Sequence, residues 1–382
     1  MKLSTLVLVV AVALGTNRIS ARGGMMTTSS TNGPRAPTLR VKDARATRTM
    51  SATNLVFGAS PLAGIYTEIE AARAHAVVKR AAELGFDKFD TAPHYGLGLS
   101  ERRLGEGLRE AGMVGKAKVY TKVGRVMKPR EEVTENDEVE WGNVPGRDGC
   151  IFPGAPRDVL PVLDYTESGF ERSHEDSLAR LGLERVEGVR IHDAETPERF
   201  EAAMKGARAL RALRDAGRIG EVSLGMNDAK YVLRMIRESE PGTFDAVMMA
   251  GSWNLLDQDG LEVLLECQER KIRVYNAGIF ASGLLVGGSH YKYGPPPEEV
   301  KQRTEQWKQL AAKHSVPLPA VAIAFALAPQ VVEFLAVGVK TPEEVEQNIA
   351  WLESANTVPT ELWREAKTMG LIAEDVPVPS DE

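Results

Sequence analysis

The chain has 382 residues, of which 43% are apolar and 26% charged, with 35 glycines and 21 prolines. This length suits one large domain or two ordinary ones, and the composition excludes collagen-like, low-complexity and disulfide-scaffold proteins. The net charge of −6 argues against a general nucleic-acid-binding surface.

The first 48 residues differ from the rest in charge and predict a removable leader. They hold eight of the 47 basic residues but one of the 53 acidic residues, which leaves the rest with a net charge of −13. Lys2, the apolar run Leu3–Leu14 and Gly15 are typical of a signal sequence over residues 1–15, too short to span a bilayer comfortably. Residues 16–48, rich in Arg, Ser and Thr, resemble a transit peptide. A signal-like segment followed by a transit-like segment favours transport to a plastid through the secretory route. Secretion and import into a mitochondrion are the alternatives. The mature form is not expected to associate with a membrane.

From residue 49 onward, short apolar or β-branched runs alternate with segments of helical periodicity. Val77, Ala81 and Leu84 share one helical face, and Gly85 and Gly182 stand where helices are expected to end. Such alternation predicts a parallel sheet with right-handed crossovers. The eight predicted strands are Asn54–Gly58, Phe86–Asp90, Lys118–Lys122, Glu187–Ile191, Gly220–Leu224, Phe244–Met249, Ile272–Asn276 and Phe334–Val337.

Eight such units over about 300 residues predict a closed (β/α)8 barrel, a TIM barrel, as a single α/β domain over residues 49–382. A doubly wound open sheet is the alternative, and it usually carries a glycine-rich turn after its first strand. Here the first strand leads into Phe57–Gly64, which lacks the G-x-G-x-x-G spacing of that turn. The barrel is therefore the better interpretation.

Two insertions leave the rim formed by the carboxyl ends of the strands, where barrel enzymes place their active sites. Gly124–Ser168 separates the third strand from its helix, with six acids in Glu131–Glu140 followed by Trp141 and Cys150. Loops of this length are usually functional lids or disordered. The second insertion, Ser289–Glu298, follows the seventh strand. The two cysteines are predicted to be free thiols.

Four polar side chains lie at the carboxyl ends of predicted strands. Asp90 ends the second strand and Tyr95 follows it, while Lys122 ends the third strand and His192 follows the fourth. A buried carboxylate can hold a lysine, whose positive charge then lowers the pKa of a neighbouring phenol. Such a phenol can exchange a proton with a carbonyl or carbinol oxygen that the histidine orients. The four residues predict an acid–base site, and no His or Cys spacing suits a metal.

These four residues, in this order, resemble the catalytic tetrad of the aldo-keto reductases. The stretch Phe89–Gly105 is similar to the branch with D-threo-aldose (L-fucose) 1-dehydrogenases and pyridoxal 4-dehydrogenases, to which L-galactose dehydrogenases are close. The resemblance extends from Val56 to about Leu352. It implies NAD or NADP bound in extended form across the barrel mouth, a small sugar or aldehyde substrate, and a monomer.

The resemblance also implies which residues bind the cofactor. NADP-preferring members carry an Arg four residues before the position of Asn348, where this chain has Glu344. A carboxylate repels a 2′-phosphate and accepts a hydrogen bond from a free ribose hydroxyl, so we expect a preference for NAD. The residues expected to contact the cofactor are Asn227, Phe280, Ser282, Gly338, Lys340, Thr341, Glu344 and Asn348.

His94 and Trp141 are candidates for substrate contact, with packing as the alternative for His94. The expected reaction is oxidation of an aldose hemiacetal at C1 to a lactone, of the L-galactose or L-fucose type. The alternatives are NADPH-dependent reduction of aldehydes or ketones, pyridoxal oxidation, and a non-catalytic nicotinamide-sensing subunit.

Overall fold

Eight parallel strands close into a barrel in the computed structural model, which describes residues 38–42 and 50–379. The strands are β1 (Leu55–Gly58), β2 (Lys88–Asp90), β3 (Lys118–Val123), β4 (Arg125–Pro129), β5 (Val159–Leu163), β6 (Gly188–His192), β7 (Glu221–Met226), β8 (Ala246–Ala250), β9 (Arg273–Ala277) and β10 (Val332–Gly338). All except β4 and β5 belong to the barrel, in which β10 pairs with β1 and β6 pairs with β3. Every barrel strand overlaps its predicted counterpart, so the predicted (β/α)8 barrel is confirmed.

Ten α-helices occur in the part of the chain that the structure describes. They are α1 (Ala71–Glu83), α2 (Leu99–Glu110), α3 (Glu167–Leu181), α4 (Pro197–Asp215), α5 (Ala229–Glu238), α6 (Leu261–Arg270), α7 (Glu298–Lys313), α8 (Leu318–Leu327), α9 (Pro342–Ala355) and α10 (Thr360–Thr368). Threonine side chains cap α3, α4 and α9 by accepting backbone N–H bonds, and Gly182 ends α3 with a φ of 64°. These local signals fix where the helices begin and end.

Nine of the ten residues of α8 are buried, and α8 is the most apolar of the described helices. Within residues 38–42 and 50–379, no single helix is long and apolar enough to cross a membrane. Helices α7 and α8 satisfy the length and composition criteria only as a pair, and they are bent by 100° at their junction.

The insertion after β3 contains an antiparallel hairpin, a structure that the loop interpretation did not include. Arg125 in β4 lies opposite Leu163 in β5, and the pairing continues to the other end of both strands. Val139, in the connection between them, forms an additional bridge to β5. Prolines at positions 129 and 161 concealed the hairpin, because proline is rare inside paired strands.

Residues 38–42, which the sequence analysis assigns to the leader, contact the barrel. Leu39 is 5% exposed and belongs to the main apolar core. The backbone N–H of Lys42 donates to the Ala328 carbonyl at 2.7 Å, and that of Gln330 donates to the Arg40 carbonyl at 2.8 Å. Cleavage before Thr38 would keep these contacts. The rest of the predicted leader lies outside the described residues, so its extent and destination remain predictions.

Candidate active site

The barrel brings together the four side chains predicted to be catalytic. Asp90, the last residue of β2, is buried, and its Oδ1 accepts a hydrogen bond from Lys122 Nζ. The same ammonium donates to the Thr91 carbonyl at 2.8 Å and lies 4.6 Å from the ring centroid of Tyr95. The Tyr95 and His192 rings meet edge to face, with centroids 5.8 Å apart. A substrate oxygen placed between phenol and imidazole could contact both groups.

The electrostatics of Tyr95 differ from the sequence-based expectation. Burial raises the pKa of the Tyr95 phenol well above its usual value, and the Asp90 and Asp193 charges raise it further. Burial also lowers the pKa of Lys122, which the charge of Asp90 opposes. The phenol pKa is thus raised overall and not lowered as expected, because burial and two carboxylates act on it and the Lys122 ammonium is paired with Asp90. Tyr95 is therefore a neutral phenol before substrate binds.

His192 is held as a neutral imidazole at the carboxyl end of β6. Burial lowers the pKa of His192 well below its usual value, and the charges of Arg125 and Lys122 act in the same direction. The Tyr165 hydroxyl donates to the His192 carbonyl at 2.6 Å. Gly124 makes room for this tyrosine, since a Cβ there would lie 2.6 Å from the Tyr165 ring, and its φ of 116° suits glycine.

Asp90 has a second cationic partner that no pattern in the sequence indicates. Arg190, on β6, is fully buried in the barrel interior, and its Nε donates to Asp90 Oδ2 at 2.9 Å. Its Nη1 donates to Glu221 Oε1 at 3.1 Å, and Glu221 Oε2 accepts from Arg273 Nη2 at 2.8 Å. Ion pairs thus run from Lys122, near the carboxyl ends of the strands, to Arg273 at the amino end of β9.

His94 and Trp141, the two residues predicted to contact the substrate, differ in their distance from the tetrad and in exposure. The His94 ring lies 6.2 Å from the Tyr95 ring and 5.8 Å from the His192 ring, centroid to centroid. Burial, aided by the Arg125 charge, lowers the pKa of His94 to about 3, so it too is neutral. Trp141 is 46% exposed and packs against the Arg147 guanidinium at 5.1 Å. The structure therefore groups His94, but not the Trp141 ring, with the tetrad.

The insertion also contributes an apolar side chain to this cluster. Phe152 is buried, and its ring centroid lies 6.1 Å from that of His94 and 6.3 Å from that of Tyr95. The aromatic character of this residue gave no signal in the sequence, since a phenylalanine in a Pro- and Gly-rich insertion has no periodic pattern around it. The long insertion therefore forms part of the site wall.

The predicted cofactor contacts lie in three loops on the same rim, after β7, after β9 and after β10. After β7, the exposed Asn227 donates from Nδ2 to Asp193 Oδ1 at 3.3 Å. After β9, the Phe280 ring packs against Trp351 with centroids 5.6 Å apart, and Ser282 has a φ of 57°. Both residues lie in the connection that leads toward the second insertion.

The remaining predicted contacts lie at the end of β10 and in the first turns of α9. Gly338 ends β10, Lys340 Nζ donates to the Ile65 carbonyl at 3.3 Å, and Thr341 caps the helix. The backbone N–H of Lys340 donates to Glu344 Oε2 at 2.6 Å. Asn348 donates to the Glu344 carbonyl at 2.8 Å, while its buried Oδ1 has no hydrogen-bond partner among the described residues.

The family model of the aldo/keto reductases matches residues 54–365, which includes every barrel strand. The chain belongs to the aldo/keto reductase family. It is accordingly an oxidoreductase that depends on a nicotinamide cofactor, NAD or NADP, and acts on a small molecule.

Three characterised relatives cover most of the chain. A pyridoxal 4-dehydrogenase from Microbacterium luteolum is 32% identical over 349 residues, which are 85% of this chain and 96% of that protein. A D-threo-aldose 1-dehydrogenase from Pseudomonas sp is also 32% identical and covers 83% and 94% of the two chains. An L-galactose dehydrogenase from Arabidopsis thaliana is 26% identical, with coverage of 77% and 82%. The branch suggested by Phe89–Gly105 is thereby confirmed.

Solved structures agree with the fold. A glycerol dehydrogenase from Gluconobacter oxydans has a TM-score of 0.60 at 20% identity, covering 90% of this chain and 98% of its own. This likeness establishes the shared barrel.

The residues between β10 and α9 fit a dinucleotide of this reductase family. The first turn of the 14-residue helix α9 offers the Lys340 side chain as a donor and the Glu344 carboxylate as an acceptor to the ribose of a dinucleotide. The unpartnered Oδ1 of Asn348 can accept a hydrogen bond from a base or ribose group. Lys340, Thr341, Glu344 and Asn348 would hold the adenosine end, and Asn227 would face the nicotinamide end. Among the described residues, no cluster of three or more His, Cys, Asp or Glu is arranged to hold a metal ion.

Proposed function

We propose that this aldo/keto reductase oxidises the C1 hydroxyl of a cyclic aldose to a lactone, with NAD as the preferred cofactor. The observation that carries the chemistry is the placement of the Tyr95 phenol and the neutral His192 imidazole 5.8 Å apart, beside the Lys122–Asp90 pair. Two of the relatives are named for aldose and L-galactose oxidation, which supports a sugar substrate of the L-galactose, L-fucose or D-threo-aldose type.

In this reaction His192 orients the C1 hydroxyl and Tyr95 takes its proton. Because burial keeps the pKa of Tyr95 high, the phenol must pass on its own proton as it receives the one from the substrate. The Lys122 ammonium lies over the phenol ring and has no lone pair to accept that proton, so it stabilises the negative charge on the phenol oxygen while the proton passes to water. Oxidised nicotinamide, when bound, supplies the acceptor for the hydride that leaves C1.

The position of Glu344 supports the preference for NAD. Its carboxylate accepts from the Lys340 N–H and so lies at the amino end of α9, where a 2′-phosphate of NADP would meet a like charge. Lys340 provides one positive charge in the same region. We therefore expect NAD to bind more tightly than NADP.

Reduction of an aldehyde or ketone is the second candidate, and the raised pKa of Tyr95 favours it. A neutral phenol is ready to donate a proton to a carbonyl oxygen without a preceding relay. The same four residues would then operate in the opposite direction. Pyridoxal is a further substrate to test, because one relative is named for its oxidation.

Nicotinamide reduction by the purified protein tests the proposal. The protein would be mixed with L-galactose, L-fucose, D-arabinose or pyridoxal, each with NAD⁺ and with NADP⁺. We expect one sugar to reduce NAD⁺ rapidly and NADP⁺ more slowly. Absence of reduction with every sugar, together with oxidation of NAD(P)H by simple aldehydes, would overturn the sugar proposal. Tighter binding of NADP⁺ would contradict the role assigned to Glu344.

A further inference from the structure

Three charged residues form a cluster where the insertion meets the barrel rim, in which Arg125 is buried and the two carboxylates are partly exposed. Arg125 starts β4, Glu140 lies in the connection between β4 and β5, and Asp193 directly follows His192. Arg125 Nε donates to Glu140 Oε2 at 2.7 Å, and its Nη2 lies 3.0 Å from both Glu140 Oε1 and Asp193 Oδ2. We call Arg125, Glu140 and Asp193 the hairpin cluster.

The hairpin cluster borders the catalytic tetrad. Asp193 Oδ2 lies 3.5 Å from His192 Nε2, and Glu140 Oε2 lies 3.6 Å from His94 Nδ1. The charges of Asp193 and Arg125 both act on the pKa of Tyr95, in opposite directions. A substrate whose reacting oxygen meets Tyr95 and His192 would therefore have its neighbouring atoms close to these charged groups.

Two buried nitrogen atoms, one in the cluster and one next to it, lack hydrogen-bond partners. Arg125 is 4% exposed, yet its buried Nη1 has no hydrogen-bond partner among the described residues, and the same holds for His94 Nδ1. A buried polar group left without a partner destabilises the folded protein. These atoms are thus suited to a ligand that brings hydrogen-bonding groups.

The conformation of Asp193 and the ionisation of Glu140 agree with a binding role. Asp193 has a φ of 49°, a left-handed conformation that side chains other than glycine seldom adopt and that is often found at functional sites. Burial alone would raise the pKa of the Glu140 carboxyl. The hydrogen bond and the charge of Arg125 outweigh burial and lower this pKa to about 2. Glu140 is therefore an ionised acceptor at neutral pH.

We propose that the hairpin cluster binds the hydroxyl groups of the sugar that do not react. Glu140 and Asp193 accept hydrogen bonds from these hydroxyls, while Arg125 Nη1 donates to a sugar oxygen. A sugar hydroxyl both donates and accepts, so it can satisfy a mixed set of carboxylates and cationic donors, whereas an apolar carbonyl compound cannot. This inference rests on the proposed function and assigns substrate specificity to the inserted hairpin.

A purely structural role is the competing explanation, in which Arg125 only holds the hairpin against the loop that follows β6. Loss of a fastening contact would affect all substrates alike and would lower the thermal unfolding midpoint. Loss of a hydroxyl contact would instead affect only those substrates that carry the hydroxyl, because a site built for a hydroxyl discriminates strongly against its absence. Comparison of matched sugars distinguishes the two.

The test combines Glu140→Gln with monodeoxy analogues of the sugar that the wild-type protein oxidises best. We expect Glu140→Gln to lower kcat/KM for the parent sugar by about 10- to 100-fold, as a lost hydrogen bond to a charged group should. One monodeoxy analogue should show a similar loss with the wild-type protein but little further loss with the variant, since both changes remove the same contact. Glu135→Gln, an exposed carboxylate in the same connection, should match the wild-type protein on every sugar.

Equal losses for the parent sugar and for every analogue in Glu140→Gln would overturn the proposal. If that variant does not fold, Asp193→Asn is compared with the wild-type protein on the same sugars, with the same expected pattern. Failure of the wild-type protein to oxidise any sugar would instead refute the proposed function itself, which the initial wild-type assay reveals before any variant is made.

Discussion

Tyr95→Phe is expected to lower kcat for sugar oxidation by about 10²- to 10⁴-fold, the usual contribution of a positioned proton-transfer group. The substitution removes the one hydroxyl that exchanges a proton with the substrate oxygen. It keeps the ring that packs against His192 at 5.8 Å and Phe152 at 6.3 Å and that lies under the Lys122 ammonium. The fold and the affinity for the cofactor should therefore remain unchanged.

The measurement is steady-state turnover, with cofactor affinity from quenching of protein fluorescence. Tyr231→Phe is the matched control, because this tyrosine lies on α5 and packs against Phe200 with ring centroids 6.1 Å apart. The control should retain wild-type turnover. Turnover by Tyr95→Phe within a factor of about ten of the wild-type value would contradict the assigned proton-transfer role.

Arg190→Met is expected to lower the free energy of unfolding by about 3–5 kcal/mol, because it leaves buried carboxylates without their shared cation. Asp90 would keep Lys122 as a partner but lose the Arg190 contact at 2.9 Å. Glu221 would retain Arg273 and the Tyr275 hydroxyl, which donates to it at 3.0 Å. The loss of stability should therefore arise mainly at Asp90. Because Asp90 also holds Lys122, the position of Lys122 should change as well.

Urea-induced unfolding measures this effect. Arg208→Met provides the control, since Arg208 is 80% exposed and pairs with Glu167 at the surface, where an ion pair contributes about 0–1 kcal/mol. If Arg190→Met is too unstable to purify, Arg190→Lys keeps a positive charge and should lose less stability. A loss below about 1 kcal/mol for Arg190→Met would show that the buried ion pairs are not important for folding.

The barrel and the tetrad could be predicted because each depends on local pattern. Strands alternate with helices along the chain, and Asp90, Lys122 and His192 each lie at the carboxyl end of a strand. Parallel strands in a closed barrel bring such ends together, so strand positions alone place these residues near one another. Tyr95 lies in the loop directly after Asp90, so it is expected at the same rim of the barrel.

The rest of the site depends on contacts between distant segments. Arg190 lies 100 residues from Asp90, and nothing in the sequence around it indicates which carboxylate it meets. Arg125, Glu140 and Asp193 come together because the insertion folds back as a hairpin, which its prolines conceal. The raised pKa of Tyr95 likewise follows from burial by distant residues. Such effects require the folded chain.

Transfer of deuterium from C1 of the sugar provides the final test of the proposed reaction. The protein would be incubated with NAD⁺ and the sugar that it oxidises, labelled with deuterium at C1, and both products would be analysed by NMR and mass spectrometry. We expect the deuterium to appear on the reduced nicotinamide ring and the sugar to be recovered as its lactone. Retention of deuterium at C1 of every labelled sugar, while NAD(P)H is oxidised by simple aldehydes, would contradict the proposal and identify the protein as a carbonyl reductase.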